Sequence, residues 1–134
     1  MLAGELEYRR GNYDIAFSHL RKAVELYDEL NYSEPWSWMM PPRHALGALL
    51  LEQNYVDEAT AVYRADLGLD DTLVRPSQHP DNIWSLVGYA ECCERSGDLK
   101  TLDEIRPELE KARGIADDSI DVSCFCRIGH ACCD

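Results

Sequence analysis

Apolar residues recur at three- and four-residue steps along most of the chain, with no sustained alternation of period two, so the pattern predicts helices throughout. Residues 2–10 and 13–30 read as two helices broken at Gly11-Asn12, where Asn12 or Asp14 can cap the second. In that second helix Ala16, Leu20, Ala23, Val24 and Tyr27 share one face. Prolines and turn formers make residues 31–42 a long connection. Helices follow at about 43–53 and 56–67, then a second long connection over 68–80 with Pro76 and Pro80. The last two helices span about 81–96 and 99–113, and Pro107 predicts a break in the latter near Arg106. The chain thus divides into a helical domain, 1–113, and a cysteine-rich tail, 114–134.

Three interhelix turns align: Gly11-Asn12-Tyr13-Asp14, Asn54-Tyr55-Val56-Asp57 and Gly97-Asp98-Leu99-Lys100. They recur every 43 residues, and Ala16, Ala59 and Leu102 follow at the same offset. Gly4, Gly11, Tyr13, Ala16, Leu20 and Ala23 in the first copy, and Leu46, Gly47, Ala59, Tyr63 and Leu67 in the second, alternate small and large positions as helix-packing repeats do. Ala90, Gly97 and Leu102 mark the third copy. On these residues the chain resembles the tetratricopeptide repeat (TPR) family, whose units are 34-residue helix–turn–helix pairs.

The resemblance implies an all-α, right-handed helical-hairpin solenoid of about three helix pairs, here with long insertions. Its core is expected to include Leu46, Leu49, Leu50, Tyr63, Leu67, Leu86 and Tyr89. Met1 falls inside the first repeat, so the chain is similar to the C-terminal part of a longer TPR protein. The ending Ser123-Cys-Phe-Cys-Arg127 and the stretches around Trp36, Arg43-His44 and His79-Pro80 resemble large uncharacterised bacterial and fungal TPR proteins. An N-terminal end without its cap predicts exposed apolar surface and self-association.

Composition narrows the function. The 134 residues carry 25 acids against 13 bases, a net charge of −12, which argues against nucleic acid and anionic lipid as partners. The acid excess grows along the chain, from −2 over residues 1–30 to −6 over 81–134. No apolar run is long enough to cross a bilayer, and the first residues lack a signal-peptide pattern, so a cytoplasmic location is expected. Six cysteines, all after residue 91, do not form a framework spread over the domain, and reduced thiols are expected. Cys92 and Cys93 are expected to pack inside the fifth helix.

The function implied by the resemblance is a non-enzymatic protein- or peptide-binding scaffold without a cofactor. TPR solenoids bind peptides on the face lined by the first helix of each pair. By alignment those positions here are Glu5, Tyr8 and Arg9, then His44, Ala48 and Leu51, then Trp84, Val87, Glu91 and Arg95. The Lys and Asn clamp that some TPR proteins use for acidic chaperone C-termini is missing, because Glu5, His44, Ala48 and Glu91 stand there. A basic or apolar segment fits the net charge better.

The insertions add Trp36, Trp38, Met39, Met40 and His79, which either anchor long loops or present a second binding edge. An alternative is a metal- or thiol-dependent protein, enzyme or metal carrier. It would use His44 and His79 with a nearby acid such as Asp81, or a tail site of Cys124, Cys126, His130 and Cys132. The tail's Cys-x-Cys and Cys-Cys spacing departs from the pairs of structural zinc sites. Neither a nucleophile triad with a recognised local signature nor a phosphate-binding glycine loop is present in the sequence.

Overall fold

The computed structural model describes residues 1–30, 40–116 and 119–130. Among these, six α-helices and two short 3-10 turns make up the regular structure, and there is no strand. The helices are α1 (Leu2–Arg9), α2 (Tyr13–Asp28), α3 (Pro42–Glu52), α4 (Val56–Leu67), α5 (Ile83–Ser96) and α6 (Leu99–Ile115). The 3-10 turns are Arg75–Ser77 and Phe125–His130. Each helix packs on the next, and α3 also packs on α5 and on the second 3-10 turn.

The three aligned turns have one backbone conformation. Gly11, Asn54 and Gly97 are left-handed, with φ of 81°, 62° and 76°. The residues after them cap the following helix at nearly identical angles: Asn12 at φ −87°, ψ 63°, Tyr55 at −84°, 62°, and Asp98 at −81°, 69°. In each turn the cap N–H donates to a carbonyl five residues back, Glu7, Leu50 and Cys93, at 3.0, 2.9 and 2.9 Å. Ala16, Ala59 and Leu102 then donate to the three cap carbonyls. A left-handed residue needs no Cβ or tolerates one poorly, which is why Gly, Asn and Gly stand there. Asn12 caps through its backbone alone, since its amide donates to Glu7 instead, at 2.7 Å.

The seven expected core residues are all buried. Tyr63 on α4 is the largest fully buried side chain. Its ring lies between the backbones of α3 and α5 at two glycines. A Cβ on Gly47 would stand 2.5 Å from Tyr63 Cζ, and one on Gly88 closer still. The small residues therefore set the interhelix spacing that admits the tyrosine.

Two expectations change. α6 runs unbroken through Pro107 to Ile115. Pro107 and Asp103, four residues before it, both lie on the exposed face, where a missing helix hydrogen bond costs least, while Leu102, Ile105, Leu109 and Ala112 hold the helix against the core. Residues 119–127 do not trail away from the helices. Ser123 and Cys124 are buried among them, and Ile120 and Cys126 pack against the core. Among the described residues no helix is long and apolar enough to cross a membrane.

Candidate functional site

Three segments distant in sequence meet on one side of the helices: the start of α3, the end of the 68–80 connection, and residues 120–127. Asp66 joins the first two. This aspartate follows Ala59 and Tyr63 on the inward stripe of α4 and is fully buried. Its Oδ1 is 2.9 Å from His79 Nδ1, and its Oδ2 is 3.2 Å from His44 Nε2. Ser85 Oγ donates to Oδ2 at 2.5 Å. The His79 N–H also donates to the Asp66 carbonyl, 2.6 Å away, which folds the long connection back onto the end of α4. Asn82 caps α5 by accepting from the Trp84 and Ser85 N–H groups, and this places Ser85 beside the carboxylate.

Burial opposes ionisation of Asp66, yet the two histidines outweigh it and hold the carboxyl below its ordinary range. An ionised carboxylate only accepts hydrogen bonds, so the histidines present N–H at Nε2 of His44 and Nδ1 of His79. The acid that joins the two histidines is therefore Asp66. Asp81, the expected partner, is exposed at the helix entrance. Among the described residues no group of three or more His, Cys, Asp or Glu is arranged to hold a metal ion.

The second part of the site is the C-terminal segment. Ser123 accepts a 2.6 Å hydrogen bond from the Tyr63 hydroxyl, both groups being buried. Phe125 lies against Trp84 with ring centroids 4.5 Å apart. Arg127 pairs with Glu91 through two nitrogens, at 2.6 and 3.2 Å, and its Nε is 3.9 Å from Glu52. Arg9 donates to the Cys126 carbonyl. Burial works against the Glu91 carboxylate, but Arg127 and Arg95 prevail and hold it below the usual range. Glu52 is fixed from its other side by the Tyr8 hydroxyl at 2.7 Å, and Tyr8 in turn accepts from Gln53 at 2.8 Å. Thus α1, α3 and α5 each contribute side chains to one face, and that face holds a segment of the same chain.

Two cavities flank this segment. One, of about 170 Å³, is lined by Met40, Pro41, His44, Trp84, Cys124 and Phe125 among others. The other, of about 580 Å³, lies between Tyr8, Tyr13, Glu52, Val122 and Arg127.

The residues singled out from sequence divide accordingly. Tyr8, Arg9, Trp84 and Glu91 lie on the face and touch residues 125–127 or the groups that hold them. Arg95 bonds Glu91 at 2.5 Å and the Leu51 carbonyl at 2.7 Å, so it supports the face from beside it. Leu51 is wholly buried and presents no surface. His44 and His79 are buried on Asp66, each with only an edge of exposure. Trp36, Trp38, Met39 and Cys132 lie outside the described residues, as does the side chain of His130. Cys124 and Cys126 are joined as a disulfide, because the turn closed by Arg127 N–H and the Cys124 carbonyl brings their Cα atoms to 5.2 Å. This corrects the expectation of reduced thiols for that pair, and in this state neither sulfur is a thiolate ligand. Cys92 and Cys93 are free and buried in α5, where burial pushes the Cys92 thiol up to about 11, away from nucleophilic character.

Asp66, Ser85, Glu52, Ser123 and Arg127 were not singled out for these roles. One signal existed for Asp66: an acid on the Ala59–Tyr63–Leu67 stripe must find partners inside the core. Comparison with protein-family models, curated proteins and solved structures finds no match to the chain.

Proposed function

We propose that this chain is a TPR-type, non-enzymatic scaffold, and that the face built by α1, α3 and α5 binds a short segment of another protein. The observation that carries the reading is that this face already holds residues 123–127 through side-chain-specific contacts, above all Arg127 against Glu91 and Glu52. A face that orders one short segment has the chemistry to order another. The three identical hairpin turns support a repeat architecture, and the net charge of −12 favours a basic or apolar segment. A cytoplasmic setting belongs to the same proposal, and the Cys124–Cys126 disulfide is the observation that stands against it.

Selection of a random peptide library on the immobilised full chain tests the reading. Enriched sequences are expected to carry arginine or lysine together with aromatic residues, and to lose binding when Glu91 and Glu52 are changed to Gln. No enrichment over an unrelated acidic helical protein would overturn it.

A further inference from the structure

The contacts of residues 123–127 have a register. Ser123, Phe125 and Arg127 alternate along the segment, and each meets a different receptor group. Ser123 meets a buried tyrosine hydroxyl from α4, Phe125 an indole at the start of α5, and Arg127 two carboxylates from α3 and α5. Between them the Cys126 carbonyl is held by Arg9 of α1. The receptor groups are themselves fixed. Tyr63 is gripped by Gly47 and Gly88, Glu52 is tied to Tyr8, and Glu91 to Arg95. Such groups, each held by a contact outside the segment, select by spacing as well as by charge.

We infer that residues 123–127 are a built-in competitor for the face, and that its ligand in another protein is a segment with a small hydroxyl residue, an aromatic residue and an arginine at alternate positions. The inference rests on the scaffold reading and specifies its ligand. Phe125 is 60% exposed although it touches Trp84, and Arg127 remains reachable by solvent, whereas Ser123 and Cys124 are buried, so the segment is anchored at its N-terminal end and accessible at its C-terminal end. A tethered competitor occupies its site at high effective concentration and weakens every ligand in proportion.

The test uses the full chain and a fluorescent peptide of residues 119–130 in which Cys124 and Cys126 are replaced by alanine to exclude thiol exchange. Fluorescence anisotropy is expected to show the peptide binding Arg127→Ala chain at least about tenfold more tightly than the unaltered chain. Changing the peptide's arginine to glutamate should abolish binding, and Glu91→Arg in the chain should restore it for that peptide. Replacing the peptide's serine or phenylalanine by alanine should each weaken binding several-fold.

If Arg127→Ala disturbs the helices, seen as altered circular dichroism, Phe125→Ala takes its place, since that side chain is largely exposed. A folded variant that binds the peptide no better than the unaltered chain overturns the inference. If the library selection above still enriches other sequences, the scaffold reading survives that result; if it enriches none, both fall. Concentration-dependent dimers that the peptide dissolves would assign the face to tail exchange between two copies, and would overturn a separate partner.

Discussion

Tyr63 and Ser123 lie 60 residues apart and share a 2.6 Å hydrogen bond in the interior, where the C-terminal segment reaches the ring that spaces α3 from α5. This bond joins the core of the helical stack to the segment on its face. Tyr63→Phe leaves the Ser123 hydroxyl buried without that donor and should cost about 1–2 kcal/mol in urea denaturation. It should also raise amide hydrogen exchange over residues 119–127 more than elsewhere. Gly88→Ala drives a methyl into the same ring, and a loss of about 1–3 kcal/mol is expected from overpacking.

Asp66 accepts from two histidines and a serine in a site with almost no exposure. Asp66→Asn turns one acceptor oxygen into a donor facing donors, and should destabilise the fold by about 3 kcal/mol. The pH dependence follows from the depressed carboxyl. Its contribution is complete above the unfolded value of 3.8 and is lost as pH falls through the lower folded value. Denaturation at a series of pH values from neutral to strongly acidic should show this loss in the unaltered chain. The Asp66→Asn chain should show a smaller loss, the remainder coming from other paired carboxylates such as Glu91.

Tyr8 gives the opposite window. Burial, reinforced by the bond to Glu52, pushes its hydroxyl from 10.0 up to about 12. The folded state thus favours the protonated phenol, and the stability this provides is complete below pH 10 and declines as pH rises through about 12. Tyr8→Phe should flatten that decline. Absorbance titration of tyrosinate should lose a late-titrating component in the same variant.

The first hairpin exposes apolar side chains on both helices. Leu2 and Leu6 on α1 are 80% and 49% exposed, and Ile15 and Leu26 on α2 are each 52% exposed. Sedimentation of the chain over a range of concentrations should show weak self-association, reduced in a Leu2→Glu, Leu6→Lys variant. A concentration-independent monomer would remove the self-association expected from the sequence.

The turns were legible because their chemistry is local. A residue that tolerates left-handed backbone, followed by a cap and then a small inward residue, is written within six positions, and it recurs at Gly11, Asn54 and Gly97. The inward stripe of α2, with Ala16 and Leu20 fully buried, was legible for the same reason. Pro107 misleads because a missing N–H matters less on a wetted face than inside a core. The cluster around Asp66 escaped because His79 and Ser85 reach it only once the 68–80 connection has closed, and Asp81 is nearer to His79 in sequence. The role of Arg127 escaped for a stronger reason: its partners Glu52 and Glu91 lie on two different helices, and nothing in the local pattern marks either as a receptor.

A row of hairpins that touch only their neighbours can fray from either end, one pair at a time. Residues 123–127 bridge that row. Cys126 is held by Arg9 of the first pair, Arg127 by Glu52 of the second and Glu91 of the third. Opening either end therefore strips contacts from the others, and the three pairs melt together while the segment is seated. Displacing it would remove the side-chain link from the first pair to the other two, while Tyr63 and Asp66 would still join the second pair to the third.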